Sequence, residues 1–339
     1  MKYFETLVEN ASGGVYVIAE GCDNHMGSTI VAKALVDAAV AAGADAIKFQ
    51  HHLVEEEMLV NDLSSDNFEE PLHEFLRVNA LSLDQHNELK VYCDSFDITY
   101  LCTPFSYKAA LEVQHLVPFF KIGSGEFQDY WYIDKLADLG KPIILSTGMC
   151  DEKEVIDWLA RYTNKIDDFA LLNCISEYPP KYEDLNIRFL DKLHAMSSCV
   201  IGHSDHSPTI GSSVSAVCFG ARIIEKHITL SHFIAGPDAS VSLDADEFKS
   251  MVDAVRLVRP TLGNSKIIQD KERPIRDWAY RSIISSRSIK AGQIITIDDI
   301  CTKRPGNGIL SVHYESILGK KAKNDISKNI PLSWADINE

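Results

Sequence analysis

The chain has 339 residues, and 33 basic against 49 acidic side chains give a net charge of −16. At ~150 residues per domain this length holds about two domains, or one large α/β barrel with a small module. A composition of 45% hydrophobic and 24% charged residues supplies a real core and excludes wholesale disorder. The acidic balance argues against nucleic acid or an anionic membrane as the main partner. It leaves room for a small anion held in a local cationic pocket. No apolar stretch approaches the ~20 residues of a transmembrane helix. The start, Met1-Lys2-Tyr3-Phe4-Glu5, lacks the hydrophobic region and cleavage site of a signal peptide. The eight cysteines include no C-x-x-C pair and mostly sit in apolar runs, so they are expected to be structural thiols in a reducing cytoplasm.

Strand-like runs fall at 16–21, 46–50, 99–105, 119–123, 142–147, 169–175, 199–203 and 221–228. Amphipathic stretches separate them; those at 30–42 and 151–162 are clear, and 247–257 follows the last run. Eight such alternations predict an α/β fold, a (β/α)8 TIM barrel occupying residues 1–262. A doubly wound sheet also alternates, but it usually has fewer strands and need not close. The segment 54–83 is acidic and long for a βα loop, so it should cover the barrel mouth or carry an extra helix. Residues 263–280 are charged and read as a linker. Residues 281–339 read as a small β-rich domain, with short runs at 282–284 and 294–297 and turns at Ala291-Gly292 and Pro305-Gly306.

The polar chemistry clusters where the runs end, which is where barrel active sites lie. His206 and His227 end the last two runs and suit a metal site with open positions, with Asp205 and Asp238 nearby. Chance pairing among twelve histidines is the plain alternative. Lys48, Lys121, Ser124, Ser146 and Thr147, with the backbone of Gly123, Gly125 and Gly148, offer point charge and hydrogen-bond donors to a phosphate or carboxylate. Ordinary turns explain the Ser-Gly runs but not lysines embedded in β-rich segments. Glu20 ends an apolar strand and is either the partner of Lys48 or a general base.

The stretches Ile18-Ala19-Glu20, Asn24-His25-Met26-Gly27-Ser28, Ala46-Ile47-Lys48-Phe49-Gln50, Thr103-Pro104-Phe105-Ser106 and Lys121-Ile122-Gly123-Ser124-Gly125-Glu126 resemble the sialic acid synthase family. So do Leu145-Ser146-Thr147-Gly148-Met149, Ser204-Asp205-His206, Glu225-Lys226-His227 and Gly236-Pro237-Asp238. The run Lys303-Arg304-Pro305-Gly306-Asn307-Gly308-Ile309 resembles that family's C-terminal antifreeze-like (SAF) domain, a β-clip fold. The motifs keep the family's order over nearly the whole chain.

The resemblance implies a cytoplasmic transferase that joins phosphoenolpyruvate to an N-acetylated amino-sugar aldehyde, giving a nine-carbon 2-keto sugar acid and phosphate. It implies a divalent ion, Mn2+ or Mg2+, on His206 and His227, and Glu20 linked to the attacking water. Lys48, Thr103, Lys121, Ser124, Ser146 and Thr147 are implied to hold phosphoenolpyruvate. Gln50, Phe105, Glu126, Ser176, Tyr178, Asp238 and Arg304 are implied to face the acceptor sugar. The implied assembly is a homodimer in which the SAF domain of one subunit caps the other's barrel. Met26 and Ser176 stand where the family pattern has asparagine, and 54–83 follows no family version. The acceptor is therefore open between N-acetylmannosamine and the 2,4-diacetamido-trideoxyhexoses that lead to legionaminic or pseudaminic acid. Rival readings are another sugar-phosphate condensing synthase or metal-dependent aldolase on the same barrel, or a non-enzymatic sugar-binding protein. The last leaves Glu20, His206 and His227 without a role.

Overall fold

The computed structural model describes residues 2–60, 71–234, 236 and 238–338, in two compact units, Met1–Gly263 and Asn264–Glu339. In the first unit the apolar runs form β1 (Tyr16–Glu20), β2 (Ala46–His51), β3 (Thr99–Pro104), β4 (Phe120–Ile122), β5 (Ile143–Ser146), β6 (Phe169–Cys174), β7 (Val200–Asp205) and β8 (Ile223–His227). All pair in parallel, in the order β3-β2-β1-β8-β7-β6-β5-β4, and β3 packs beside β4. The result is the expected eight-stranded, near-closed barrel with helices between successive strands.

Side chains alternate across each strand, and this alternation builds two cores. Val17, Ala19, Ile47 and Phe49 point outward and pack with the helices, whereas Tyr16, Ile18, Ala46, Leu101, Ile144, Leu172 and Ile223 fill the barrel interior. Phe4, on the helix Tyr3–Asn10, belongs to that interior cluster and meets Phe119 edge to face at 5.3 Å. Going toward the strand C-termini, the inward row changes from apolar to polar, and that change defines the mouth.

The surrounding helices begin at cap residues legible in the sequence. Ser28 caps Thr29–Ala42, Asp151 caps Glu152–Tyr162 and Asp244 caps Ala245–Val258. The first of these ends at Gly43, whose φ of 81° suits glycine. Within 54–83 lie two short helices, Val54–Glu57 and Leu72–Asn79; residues 61–70 of that segment, like Pro237, are outside the described residues.

In the second unit β9 (Ser282–Ser285) and β10 (Ile300–Lys303) pair antiparallel over a core that includes Ile283, Ile289, Ile300 and Ile309. The run expected at 294–297 is not a strand. Ile294 makes a single bridge to Lys321, and the chain then turns through a 3-10 helix, Ile297–Asp299. The Thr296 backbone N–H and hydroxyl both donate to Asp299 Oδ2, at 2.8 and 2.7 Å, and this cap ends extended structure. Residues 264–280, within the expected linker, belong to this unit and carry the helix Glu272–Ala279. Its C-terminal carbonyls are used: the Gly306 N–H donates to Asp277 O at 2.9 Å, and Arg304 Nε donates to Ala279 O at 3.0 Å.

Candidate active site

A cavity of about 850 Å³ opens at the C-terminal ends of the barrel strands. Its floor is the polar continuation of the inward row. Parallel pairing sets Glu20 of β1 opposite Lys48 of β2 on one side and His227 of β8 on the other. The Glu20 carboxylate forms an ion pair with Lys48 and accepts the Cys22 N–H at 2.7 Å. Lys48 Nζ also donates to Thr103 Oγ1 at 3.0 Å, and Lys121 Nζ donates to Ser146 Oγ at 2.8 Å. Glu225 of β8 lies between the lysines, with Oε1 3.7 Å from Lys48 Nζ and 3.6 Å from Lys121 Nζ, and it accepts the Ser204 hydroxyl at 3.1 Å.

Burial sets the electrostatics of this floor. It raises the Glu20 carboxyl above its ordinary value against the pull of Lys48, and the Glu225 charge pushes the same way. Burial disfavours the Lys48 ammonium, but Glu20 and Glu225 outweigh it and hold that group charged. Lys121 is pulled below its ordinary value, chiefly by burial, with Glu225 resisting. Glu225 is held ionised by Lys121 and Lys48 despite its burial. Two ammonium groups and two carboxyl groups therefore share the floor, and an anion bound there relies on hydroxyl donors as well as charge.

The adjoining wall carries the histidines. Rings of His206 and His227 lie 5.2 Å apart, and Tyr178 stacks on His206 at 4.2 Å. His206 Nδ1 donates to Ile175 O at 2.7 Å, which leaves Nε2, hydrogen-bonded to Tyr178 Oη at 3.2 Å, as the remaining ligand atom. His227 Nδ1 is buried without a hydrogen-bond partner among the described residues and lies 3.8 Å from Asp238 Oδ2. Ligand atoms of Cys22, His227 and Asp238 all lie within 4.8 Å of one another. An orphaned imidazole nitrogen beside a carboxylate fits a divalent cation with nitrogen and oxygen preference. Burial keeps the Cys22 thiol protonated, so sulfur adds little to such a site.

Of the residues singled out from sequence, Glu20, Lys48, Gln50, Thr103, Phe105, Lys121, Ser124, Ser146, Ser176, Tyr178, His206, His227 and Asp238 line this one cavity. Three do not. Thr147 follows the inward Ser146, so its side chain turns away and its hydroxyl donates to Leu172 O at 3.0 Å. Glu126 turns its Oε2 toward Gly123, where that oxygen has no partner among the described residues. Arg304 lies in the second unit, its guanidinium 5.5 Å over the Trp278 ring. Asp205 likewise points outward, pairing with Lys226 at 3.1 Å in full burial. Sequence reasoning did not place Ser204, Glu225, Cys174, His52, Glu57, Leu72 or Leu76 in the site, yet all line it. Period-two alternation back from His206 and His227 reaches Ser204 and Glu225, so that signal was present.

A barrel whose mouth gathers buried lysines, carboxylates and histidines from several strand ends has the polar equipment of an enzyme. Residues 35–267 match the NeuB family, and the chain belongs to it; residues 280–338 match the SAF domain. An uncharacterized protein of Methanocaldococcus jannaschii is 39% identical over 95% of this chain and 94% of its own length. The N,N'-diacetyllegionaminic acid synthase of Campylobacter jejuni is 32% identical over 92% of this chain and 97% of its own. Among solved structures, the N-acetylneuraminic acid synthetase of Leptospira borgpetersenii is 29% identical, with a TM-score of 0.71 over 77% of this chain and 90% of its own. The protein is thus an enzyme of the synthase type, a transferase that forms carbon–carbon bonds.

Proposed function

We propose that the cavity condenses phosphoenolpyruvate with the open aldehyde form of an N-acetylated amino sugar, giving a nine-carbon 2-keto sugar acid and inorganic phosphate. The observation that carries this reading is the pairing, in one cavity, of the Lys48–Glu225–Lys121 floor with the His206–His227–Asp238 wall. Lys48, Lys121, Thr103, Ser124 and Ser146 hold the phosphate and carboxylate of phosphoenolpyruvate. Gln50, Phe105, Ser176, Tyr178 and Asp238 face the sugar, and Glu126 supports that end from behind Gly123. A divalent ion, Mn2+ or Mg2+, held by His206 and His227 beside Asp238, supplies Lewis-acid polarisation of the aldehyde oxygen.

As C3 of phosphoenolpyruvate bonds to the aldehyde carbon, Glu20 takes a proton from the water that adds at C2. The proton taken by Glu20 passes to the new alkoxide. The C2–O bond to phosphate then breaks as the C2 hydroxyl proton leaves with the phosphate, and the lysines and Ser146 hold that phosphate. The active form is a cytoplasmic homodimer in which the SAF domain of one subunit brings Arg304 to the barrel of the other. The acceptor is N-acetylmannosamine or a 2,4-diacetamido-trideoxyhexose. A panel of these sugars with phosphoenolpyruvate and manganese, scored by phosphate release and product mass, tests the reading. Phosphate release with a phosphorylated sugar alone, or none with any amino sugar, overturns it.

A further inference from the structure

We propose that His52 is a positioning residue for the acceptor sugar, fixing which end of the Gln50 side-chain amide faces the cavity. This rests on the synthase reading above. His52 follows β2 and lines the cavity, and its ring lies flat on Phe105, centroids 4.4 Å apart and planes 14° apart. Nδ1 is 2.8 Å from Glu57 Oε2, and Nε2 is 2.9 Å from Gln50 Oε1. A carboxylate and an amide oxygen both accept, so the ring that satisfies both is the imidazolium, donating from each nitrogen.

The surroundings favour that charge. Burial opposes it, but Glu57 from the helix Val54–Glu57 and Asp23 from the loop after β1 act to keep the ring protonated, joined by Glu126 from the turn after β4 once that carboxyl ionises, above about pH 7. Two described histidines that feel its charge, His25 and His86, are both held neutral, chiefly by burial. With Oε1 taken by His52, Gln50 turns its NH2 toward the cavity, where it donates to an oxygen of the acceptor. A neutral His52, keeping its proton on Nδ1 for Glu57, has an accepting Nε2. Gln50 must then rotate its amide by half a turn, and the cavity receives a carbonyl oxygen instead. One proton on His52 thus reverses the hydrogen-bond polarity that the acceptor meets.

The test is the pH dependence of acceptor KM in the full-length enzyme, read beside kcat and the KM for phosphoenolpyruvate. Wild type should show acceptor KM rising about 10-fold as pH climbs and His52 loses its proton, with kcat and the other KM moving less than about 3-fold. Glu57→Gln should shift that rise to lower pH, because the main stabilising carboxylate is gone. His52→Gln, whose amide donates to Gln50 at every pH, should abolish the rise. His52→Phe, which keeps the stack on Phe105 but no polar contact, should hold acceptor KM high throughout. Titration of His52 by 15N NMR on histidine-labelled protein reports its charge without turnover. A ring neutral from about pH 6 upward, or a rise unmoved by Glu57→Gln, overturns the role of His52 while leaving the synthase intact. Absence of phosphate release with every amino sugar overturns the synthase reading, and this role with it.

Discussion

Lys121 of β4 and Glu225 of β8, on opposite sides of the barrel, bring their charges to 3.6 Å across its interior. The pair crosses the floor of the cavity, and Lys48 joins it from a third strand at 3.7 Å from the same carboxylate oxygen. Truncating the carboxylate leaves two buried ammonium groups with, among the described residues, Glu20 as the remaining carboxylate paired to them.

Glu225→Ala should therefore lower stability by about 3–5 kcal/mol, the range for breaking a buried ion pair from one side. Urea unfolding monitored by circular dichroism measures it. A loss below about 1 kcal/mol would show that the pair is well hydrated and holds nothing together.

Glu20→Gln keeps the side-chain volume and removes the proton acceptor. Turnover should fall by roughly 10²–10⁴, while phosphoenolpyruvate binding, measured by calorimetry, changes far less. Near wild-type turnover would reduce Glu20 to the ion-pair partner of Lys48.

His206→Ala and His227→Ala should each abolish manganese-dependent turnover and weaken Mn2+ binding in a direct titration, with far-ultraviolet circular dichroism unchanged. The direct titration separates loss of the ion from loss of substrate contacts. Unaltered Mn2+ affinity in either variant removes that histidine from the ligand set.

Glu126 ties stability to pH. Burial, helped by the charge of Glu57, raises its carboxyl from 4.5 to about 7. A folded-state value above the unfolded one gives stability that is complete below 4.5 and is lost as pH rises through about 7. Glu126→Gln stays neutral, so above that pH it should be more stable than wild type by up to about 3 kcal/mol, and near pH 4 the two should agree. Unfolding midpoints across this range test it. A stability difference independent of pH would assign the effect to packing.

Arg304→Ala should raise acceptor KM and spare phosphoenolpyruvate, since guanidinium hydrogen bonds to the sugar are lost while the lysines remain. Mixing Arg304→Ala with Glu20→Gln subunits should restore activity, because one site of a mixed dimer then receives both native residues. Subunit exchange shown by mass spectrometry without recovered turnover would sink the shared site.

The sequence by itself determined the barrel, because eight apolar runs alternating with amphipathic stretches have few other ways to bury both faces of every strand. It also placed Lys48, Gln50, Lys121, His206 and His227 at strand ends, since polar residues at the close of such runs must face solvent or a site. Tertiary structure alone decided the rest. Glu225 and Lys121 are 104 positions apart in the chain, and only closure of the barrel turns two isolated charges into a pair. The same closure separated Ser146 from Thr147: adjacent residues on a strand point to opposite faces, so one lines the cavity and accepts from Lys121 while the other is spent on Leu172. The Glu57–His52–Gln50 chain was likewise invisible in sequence. It arises because a short helix after β2 folds back over that strand's end, and spacing along a loop does not encode such a return.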